Sequence, residues 1–229
     1  ELTRRKLPAV LARVEAVRKF RMASSAEPTR RAADTPTRFF YVSQPATEYI
    51  LVPEVSSERR RYVPIGFMPP DVISSNKNYL IAEPSLFLFG LLQSAMHISW
   101  LGAVGGRLES RFQYSGTMVY NTFPWPDASE AQRAKIAALA EAVLAARANH
   151  PTASLAQLYD PLTMPADLRA AHTALDRAVD RLYRAEPFGS DRDRVEHLFG
   201  RYAALVDPLA TAGVKANRRV ARAAKAAAD

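Results

Sequence analysis

Hydrophobic positions follow two regimes along the chain. Over residues 3–23, Leu7, Val10, Leu11, Val14, Val17 and Phe20 recur at helical spacing, while Arg4, Arg5, Arg13 and Lys19 fall off that stripe. This predicts a first helix with one buried face. Residues 24–37 are polar and carry Pro28 and Pro36, the pattern of a loop. Short β-prone runs follow at residues 38–43, 48–52, 62–65 and 78–82, and Pro64 assigns the third to an edge or a bulge. Pro84 suits the first turn of a helix, and residues 86–101 are apolar almost all round, as in a buried helix. Gly102, Gly105 and Gly106 end that helix and lead into a strand with charges at alternate positions.

From Asp127 onward the pattern is helical throughout. Ser129-Glu-Ala-Gln-Arg133 opens an alanine-rich helix that runs to about residue 149, where Pro151 stops it. Residues 166–185 place Leu168, Ala171, Leu175, Val179 and Leu182 on one side; residues 191–206 are expected to bury Val195, Leu198, Phe199 and Tyr202. The last stretch, from Leu209, is rich in alanine and base, with Lys215, Arg218, Arg219, Arg222 and Lys225 on one helical stripe. The expected fold is therefore α+β over residues 1–126, a small mixed sheet with packed helices, followed by an all-α segment over residues 127–229.

The most informative stretch is Gly106-Arg-Leu-Glu-Ser-Arg-Phe-Gln-Tyr-Ser115. A strand sends alternate side chains to one face, so Arg107, Glu109, Arg111 and Gln113 would project together. Guanidinium, carboxylate and carboxamide are the groups that pair with base edges in a DNA major groove. A solvated strand face with cross-strand ion pairs uses the same residues. Tyr114 and Tyr120 fall on the opposite parity and are expected in the core.

This run, followed by Tyr120-Asn-Thr-Phe-Pro-Trp-Pro126, resembles the end of an MmeI-like target recognition domain. Arg18-Lys-Phe-Arg21, the stretch from Val52 to Phe67 and Ser94-Ala-Met-His-Ile-Ser-Trp100 are similar to the same domain. Leu155-Ala-Gln-Leu-Tyr-Asp160, Met164-Pro165, Ala171-His172 and Leu175-Asp176 resemble the helical segment that follows it. The likeness covers nearly the whole chain in matching order. That family joins a nuclease, an adenine methyltransferase and a DNA-reading domain in one bacterial polypeptide. The resemblance implies that Glu109 and Arg111 act together to choose one base pair, and that Lys77 and Gln113 face a neighbouring pair with Asn76 close by. Arg107 would contact a base or the backbone.

Charge supports a polyanionic partner. The chain of 229 residues carries a net charge of +8 and a sequence pI near 9.9, a balance that by itself gives only non-specific attraction. Residues 1–126 hold 16 Lys+Arg against 10 Asp+Glu, and residues 127–229 hold 15 against 13, so the basic excess lies with the reading strand. Arg59, Arg60 and Arg61, in an expected turn, and Arg30 and Arg31, in the loop, are candidate phosphate contacts.

Catalytic signatures are missing. No Gly-x-Gly turn for a methyltransferase cofactor occurs, and the first proline of Asn121-Thr-Phe-Pro-Trp125 comes two positions too late for the base-gripping Asn/Asp-Pro-Pro-aromatic loop. None of the six lysines follows an acid by two positions, as Mg²⁺-dependent nucleases commonly require. There are no cysteines, and His97, His150, His172 and His197 lack metal-ligand spacing, which leaves them structural roles. The longest apolar run, residues 86–92, is far short of the ~20 needed to span a bilayer. The expectation is a cytoplasmic, bacterial, non-membrane fragment of a longer protein. It binds double-stranded DNA beside a methyltransferase domain of the same polypeptide. The resemblance places S-adenosylmethionine, and Mg²⁺ where a nuclease is active, in that full-length parent and no cofactor in this chain. The alternative is a helical protein-interaction module, docking on a methyltransferase or nuclease, with only general attraction to DNA.

Overall fold

The computed structural model describes residues 7–41 and 43–207. The expected terminal helix from Leu209 lies outside the described residues. The chain divides into two compact units, Glu1–Gln44 and Pro45–Asp229.

In the first unit α1 (Pro8–Met22) begins with proline in its first turn, where no backbone donor is lost. Short α2 (Glu27–Arg31) and a 3₁₀ turn (Ala32–Asp34) follow where a loop was expected, because Pro28 starts a helix here and does not break one. Arg21 lashes this segment down: its guanidinium donates to the carbonyls of Ala32 (2.8 Å), Thr35 (3.0 Å) and Arg38 (2.8 Å). The predicted buried stripe is corrected. Leu7, Val10, Leu11, Val17 and Phe20 are exposed, and no residue of α1 is buried. A unit of this size is too small to enclose a core of its own. The strand expected at residues 38–43 is also absent among the described residues, and Phe39, Phe40 and Tyr41 are exposed.

The second unit opens with β1 (Tyr49–Pro53), β2 (Val55–Ser56), β3 (Gly66–Met68) and β4 (Asn78–Ala82). Then come α3 (Leu86–Leu92), α4 (Ala95–Val104), β5 (Gly106–Leu108), β6 (Arg111–Gln113) and a wide helical turn, Gly116–Tyr120. Four helices complete the chain: α5 (Glu130–Ala148), α6 (Leu155–Leu158), α7 (Ala166–Tyr183) and α8 (Asp191–Val206). The α+β expectation with a helical C-terminal segment holds. The strands form two antiparallel sheets, ordered β3-β1-β4 and β2-β6-β5. The step from β1 to β2 carries the chain from one sheet to the other.

The long apolar helix is two helices, bent by 53°. Ser94 breaks it: its hydroxyl accepts from the His97 amide as an N-cap and donates to the Leu91 carbonyl. No single helix among the described residues is long and apolar enough to cross a membrane, and α3 and α4 are largely buried in protein. Gly102 lies inside α4, so only Gly105 serves as its cap.

One core spans the change of composition at Asp127. Phe89, Leu91, Leu92, Met96 and Trp100 pack with Ile136, Ala140 and Val143 of α5, Leu168, Leu175 and Val179 of α7, and Leu198 of α8. α3 approaches α5 closely at Gly90, where a Cβ would fall 2.8 Å from Ile136 Cγ2. Residues 62–65, expected as a strand, have no strand partner among the described residues, and Tyr62, Val63 and Ile65 are buried. The Val63 carbonyl accepts from the Gln93 side chain and the Ile65 carbonyl from Arg147 Nη1 (2.8 Å). Arg147 is itself buried, donating also to Gln93 Oε1 (2.8 Å) and Tyr159 (2.8 Å). Tyr62 Oη donates to Asp176 Oδ2 (2.7 Å), whose other oxygen accepts from the Ala95 amide (2.6 Å). These polar links tie α4, α5 and α7 to the segment that joins the two sheets.

Candidate nucleic-acid interface

The charged segment is a hairpin, not one strand. β5 and β6 pair with Leu108 opposite Arg111, which leaves Glu109 and Ser110 as a two-residue turn. Glu109 has φ 58°, in the left-handed region that turns of this length demand and that side chains other than glycine enter at a cost. The expectation that Arg107, Glu109, Arg111 and Gln113 share one strand face is therefore corrected: alternation stops where the chain reverses. Cross-strand partners share a face, so Arg107 goes with its partner Phe112. Arg111 and Gln113, two residues apart, occupy the other face.

The turn brings two of the four together. Arg111 Nη2 donates to Glu109 Oε2 at 2.6 Å, with side chains 45% and 76% exposed. Arg107 is engaged elsewhere. Its guanidinium lies 4.5 Å from the Phe112 ring centroid and donates to the Gly102 carbonyl (2.9 Å), where the end of α4 favours a cation.

A second pair is assembled by Glu54, which the sequence reading did not single out. Its Oε1 accepts from Gln113 Nε2 (3.0 Å), and its Oε2 lies 3.4 Å from Lys77 Nζ. The hydrogen bond from Gln113 and the Lys77 charge hold the Glu54 carboxyl below the usual carboxylate range. Its backbone joins the same strands: the Glu54 amide donates to the Lys77 carbonyl (3.0 Å), and the Tyr114 amide donates to the Glu54 carbonyl (2.7 Å). Lys77 and Gln113, 36 positions apart in sequence, thus meet at the junction of the two sheets. Asn76 is exposed beside them, in a loop organised by Ser74 and Ser75. An acid in a Pro-Glu-Val step carries no local signal of such a role; only the tertiary pairing reveals it.

The candidate phosphate contacts divide. Ser57 shapes the basic turn, with its hydroxyl accepting from the Arg59 amide (3.2 Å) and its carbonyl from the Arg60 amide (3.1 Å). Arg59 is exposed and Arg60 half-buried, and neither forms an ion pair with the described residues. Arg61 Nη1 donates to Asp191 Oδ2 of α8 (3.1 Å). In the first unit Arg30 donates to the Ser24 (3.0 Å) and Ser25 (2.7 Å) carbonyls, while Arg31 pairs with Glu27. The histidines serve the fold: His97 Nε2 lies 3.0 Å from Tyr114 Oη and His172 Nε2 2.8 Å from Tyr159 Oη, both buried, and His150 pairs with Asp167. Tyr114 is buried and Tyr120 half-buried.

A family model described as MmeI, target recognition domain, matches residues 2–127, and one described as MmeI, C-terminal domain, matches residues 128–210. The chain belongs to the MmeI family. Among solved structures it is similar to the type IIL restriction-modification enzyme MmeI in complex with DNA, at 50% identity and a TM-score of 0.81, over 86% of this chain and 26% of that one. It is also 37% identical over 200 residues to DNA methyltransferase A of Bacillus subtilis (strain 168), covering 87% of this chain and 23% of that protein. The chain spans about a quarter of the length of these relatives. Every candidate contact lies in the portion matched to the MmeI target recognition domain. Asp191, which holds Arg61, lies in the portion matched to the MmeI C-terminal domain.

Proposed function

We propose that this chain is the sequence-reading module of an adenine-specific DNA methyltransferase or type II restriction-modification enzyme. It would bind double-stranded DNA and present the adenine to a methyltransferase domain of the same polypeptide. The observation that carries this reading is the exposed hairpin with paired Glu109 and Arg111, in a chain half identical in sequence to an enzyme solved with DNA. Arg111 can donate a fork to guanine O6 and N7, while Glu109 accepts from the N4 amine of cytosine, so one G·C pair is read on both strands. Lys77 and Gln113, with Asn76, would face a neighbouring pair, and Arg107 would reach backbone or base from the other face of the hairpin. Arg59 and Arg60 are the preferred phosphate contacts. Arg61, Arg30 and Arg31 would first have to leave the partners described above.

Residues 1–126 would read sequence and residues 127–229 would support them. S-adenosylmethionine belongs, on this reading, to the methyltransferase portion of the parent, as Mg²⁺ would to a nuclease portion. This chain supplies neither a Gly-x-Gly turn nor, among the described residues, a cluster of three metal-ligating side chains. Such an enzyme works in the bacterial cytoplasm, where its DNA is. The interaction-module alternative loses support because α5 and α7 place their apolar residues in the core.

A salt titration tests the proposal. One duplex among many should bind with log K falling steeply against log[salt], by about 0.9 for each phosphate contacted. Equal binding to every duplex would reject sequence reading.

A further inference from the structure

Beside Lys77 and Gln113 the surface opens into a cleft of about 270 Å³. Its walls include the rings of Tyr79, Tyr114 and Tyr120, with exposed Ala82 among the lining residues. Two rings are fixed from behind. Tyr114 is held at His97 Nε2 (3.0 Å), and Tyr120 packs on Trp125 with centroids 5.1 Å apart. Tyr79 is 36% exposed, tilted 54° to Tyr114 at a centroid distance of 5.7 Å. Gly116 brings backbone against it: a Cβ there would lie 3.5 Å from the Tyr79 ring.

The cleft also has polar edges. Neither the Tyr79 nor the Tyr120 hydroxyl is hydrogen-bonded to a described residue. β4, which carries Tyr79, is at the edge of its sheet, so among the described residues one side of its main chain has no strand partner. The opposite wall belongs to Gly116–Tyr120, a turn closed by i→i+5 bonds, from the Tyr120 amide to Ser115 (3.3 Å) and from the Asn121 amide to Gly116 (2.9 Å).

Flat aromatic walls with donors and acceptors at the rim match one ligand class, a nucleobase. Its face stacks on a ring and its edge bonds to main chain and hydroxyls. Position agrees. Tyr79 follows Lys77 by two residues, at most about 7 Å of chain, and Tyr114 adjoins Gln113. At 3.4 Å per step this is about two base pairs. A peptide adding to the edge of β4 would require a row of side-chain pockets, whereas a single recess suits one base.

We propose that this cleft receives one base, unstacked from the bound duplex within about two steps of the pair facing Lys77 and Gln113, with Tyr79 as the stacking ring. The inference rests on the DNA-reading proposal above. The test is an abasic scan of the recognised duplex with the full-length parent protein. Each nucleotide near the site is replaced in turn by an abasic one, and binding is measured for the wild type and for Tyr79→Phe, Tyr79→Ala and Gly116→Leu. At one nucleotide the effect of removing the base should differ about tenfold between wild type and Tyr79→Ala, and by much less between wild type and Tyr79→Phe, which loses only a hydroxyl at the rim and keeps the ring. Gly116→Leu, whose Cβ would start 3.5 Å from the Tyr79 ring and whose side chain would occupy the cleft while leaving that ring, should behave as Tyr79→Ala. An abasic effect equal in all four proteins, on duplexes still bound with sequence preference, overturns this inference and leaves the reading proposal standing. Wild-type binding without sequence preference overturns both.

Discussion

Glu109 shows at the residue scale how far side-chain type can be read without its geometry. The charges at positions 107–113 are evident in the sequence, and so is their suitability for base edges. The two-residue turn is not, because Leu-Glu-Ser-Arg holds none of the Asn-Gly or Gly pairs that announce one. Its φ of 58° leads to a separation of roles. Glu109→Gly should keep or raise stability by about 0.4–1 kcal/mol, since glycine enters this region freely, although it also loosens the unfolded chain. Thermal melting checks this, and sequence preference at one base pair should be lost at the same time. Arg111→Ala should relax that same position by about 1–3 kcal/mol of discrimination. Arg60→Ala should instead weaken all duplexes alike and lower the salt slope by about one, which filter binding at several salt concentrations would read.

At the scale of elements, period decides legibility. α5 and α7 stand out because each buries one stripe, and β4 coincides with its β-prone run, whereas α8 buries only Leu198 of its expected apolar stripe and leaves Phe199 exposed. The break at Ser94 is hidden because both flanking helices are apolar on every side, so no change of face marks it. Residues 62–65 read as a strand because they are buried and β-prone, yet side chains from α5 and the Gln93 step take their carbonyls. Two substitutions test these contacts. Gly90→Ala should cost about 1–3 kcal/mol, because its Cβ would meet buried Ile136 and Ala140 where neither can give way. Arg147→Met should cost about 3 kcal/mol or more, because the Ile65 carbonyl, Gln93 Oε1 and Tyr159 Oη all lose the guanidinium that donates to them. Urea denaturation of purified chains measures both, and unchanged midpoints would contradict the packing described.

For the whole molecule, the change to alanine-rich helix at Asp127 is legible, but the core crosses it without a break. Helix α1 with its exposed stripe is the converse case, where period signals a face that is not buried among the described residues. Acid should find the shared core. Burial pushes His97 down to about 3, and burial, followed by the Arg147 charge, does the same for His172. Both stay neutral in the folded chain while the unfolded chain protonates near 6.5. They therefore cost nothing above that pH, and stability falls as pH drops from 6.5 toward 3, by up to about 1.4 kcal/mol per unit for each histidine. Asp176 works the other way, since burial raises its carboxyl and favours proton uptake by the folded state. Denaturation midpoints between pH 7 and 5 should decline, and His172→Gln should flatten that decline.

The central claim, that the Glu109–Arg111 hairpin reads DNA sequence, is tested most directly by methylation of a randomised-site library. A protein joining this chain to the proposed methyltransferase domain is compared with its Glu109→Lys, Arg111→Asp double variant. The exchange of charges should turn one G·C position of the methylated motif toward the reversed pair, by more than about tenfold, with the other positions retained. A motif identical to the parent's at every position would make Glu109 and Arg111 an ordinary surface ion pair and contradict the account.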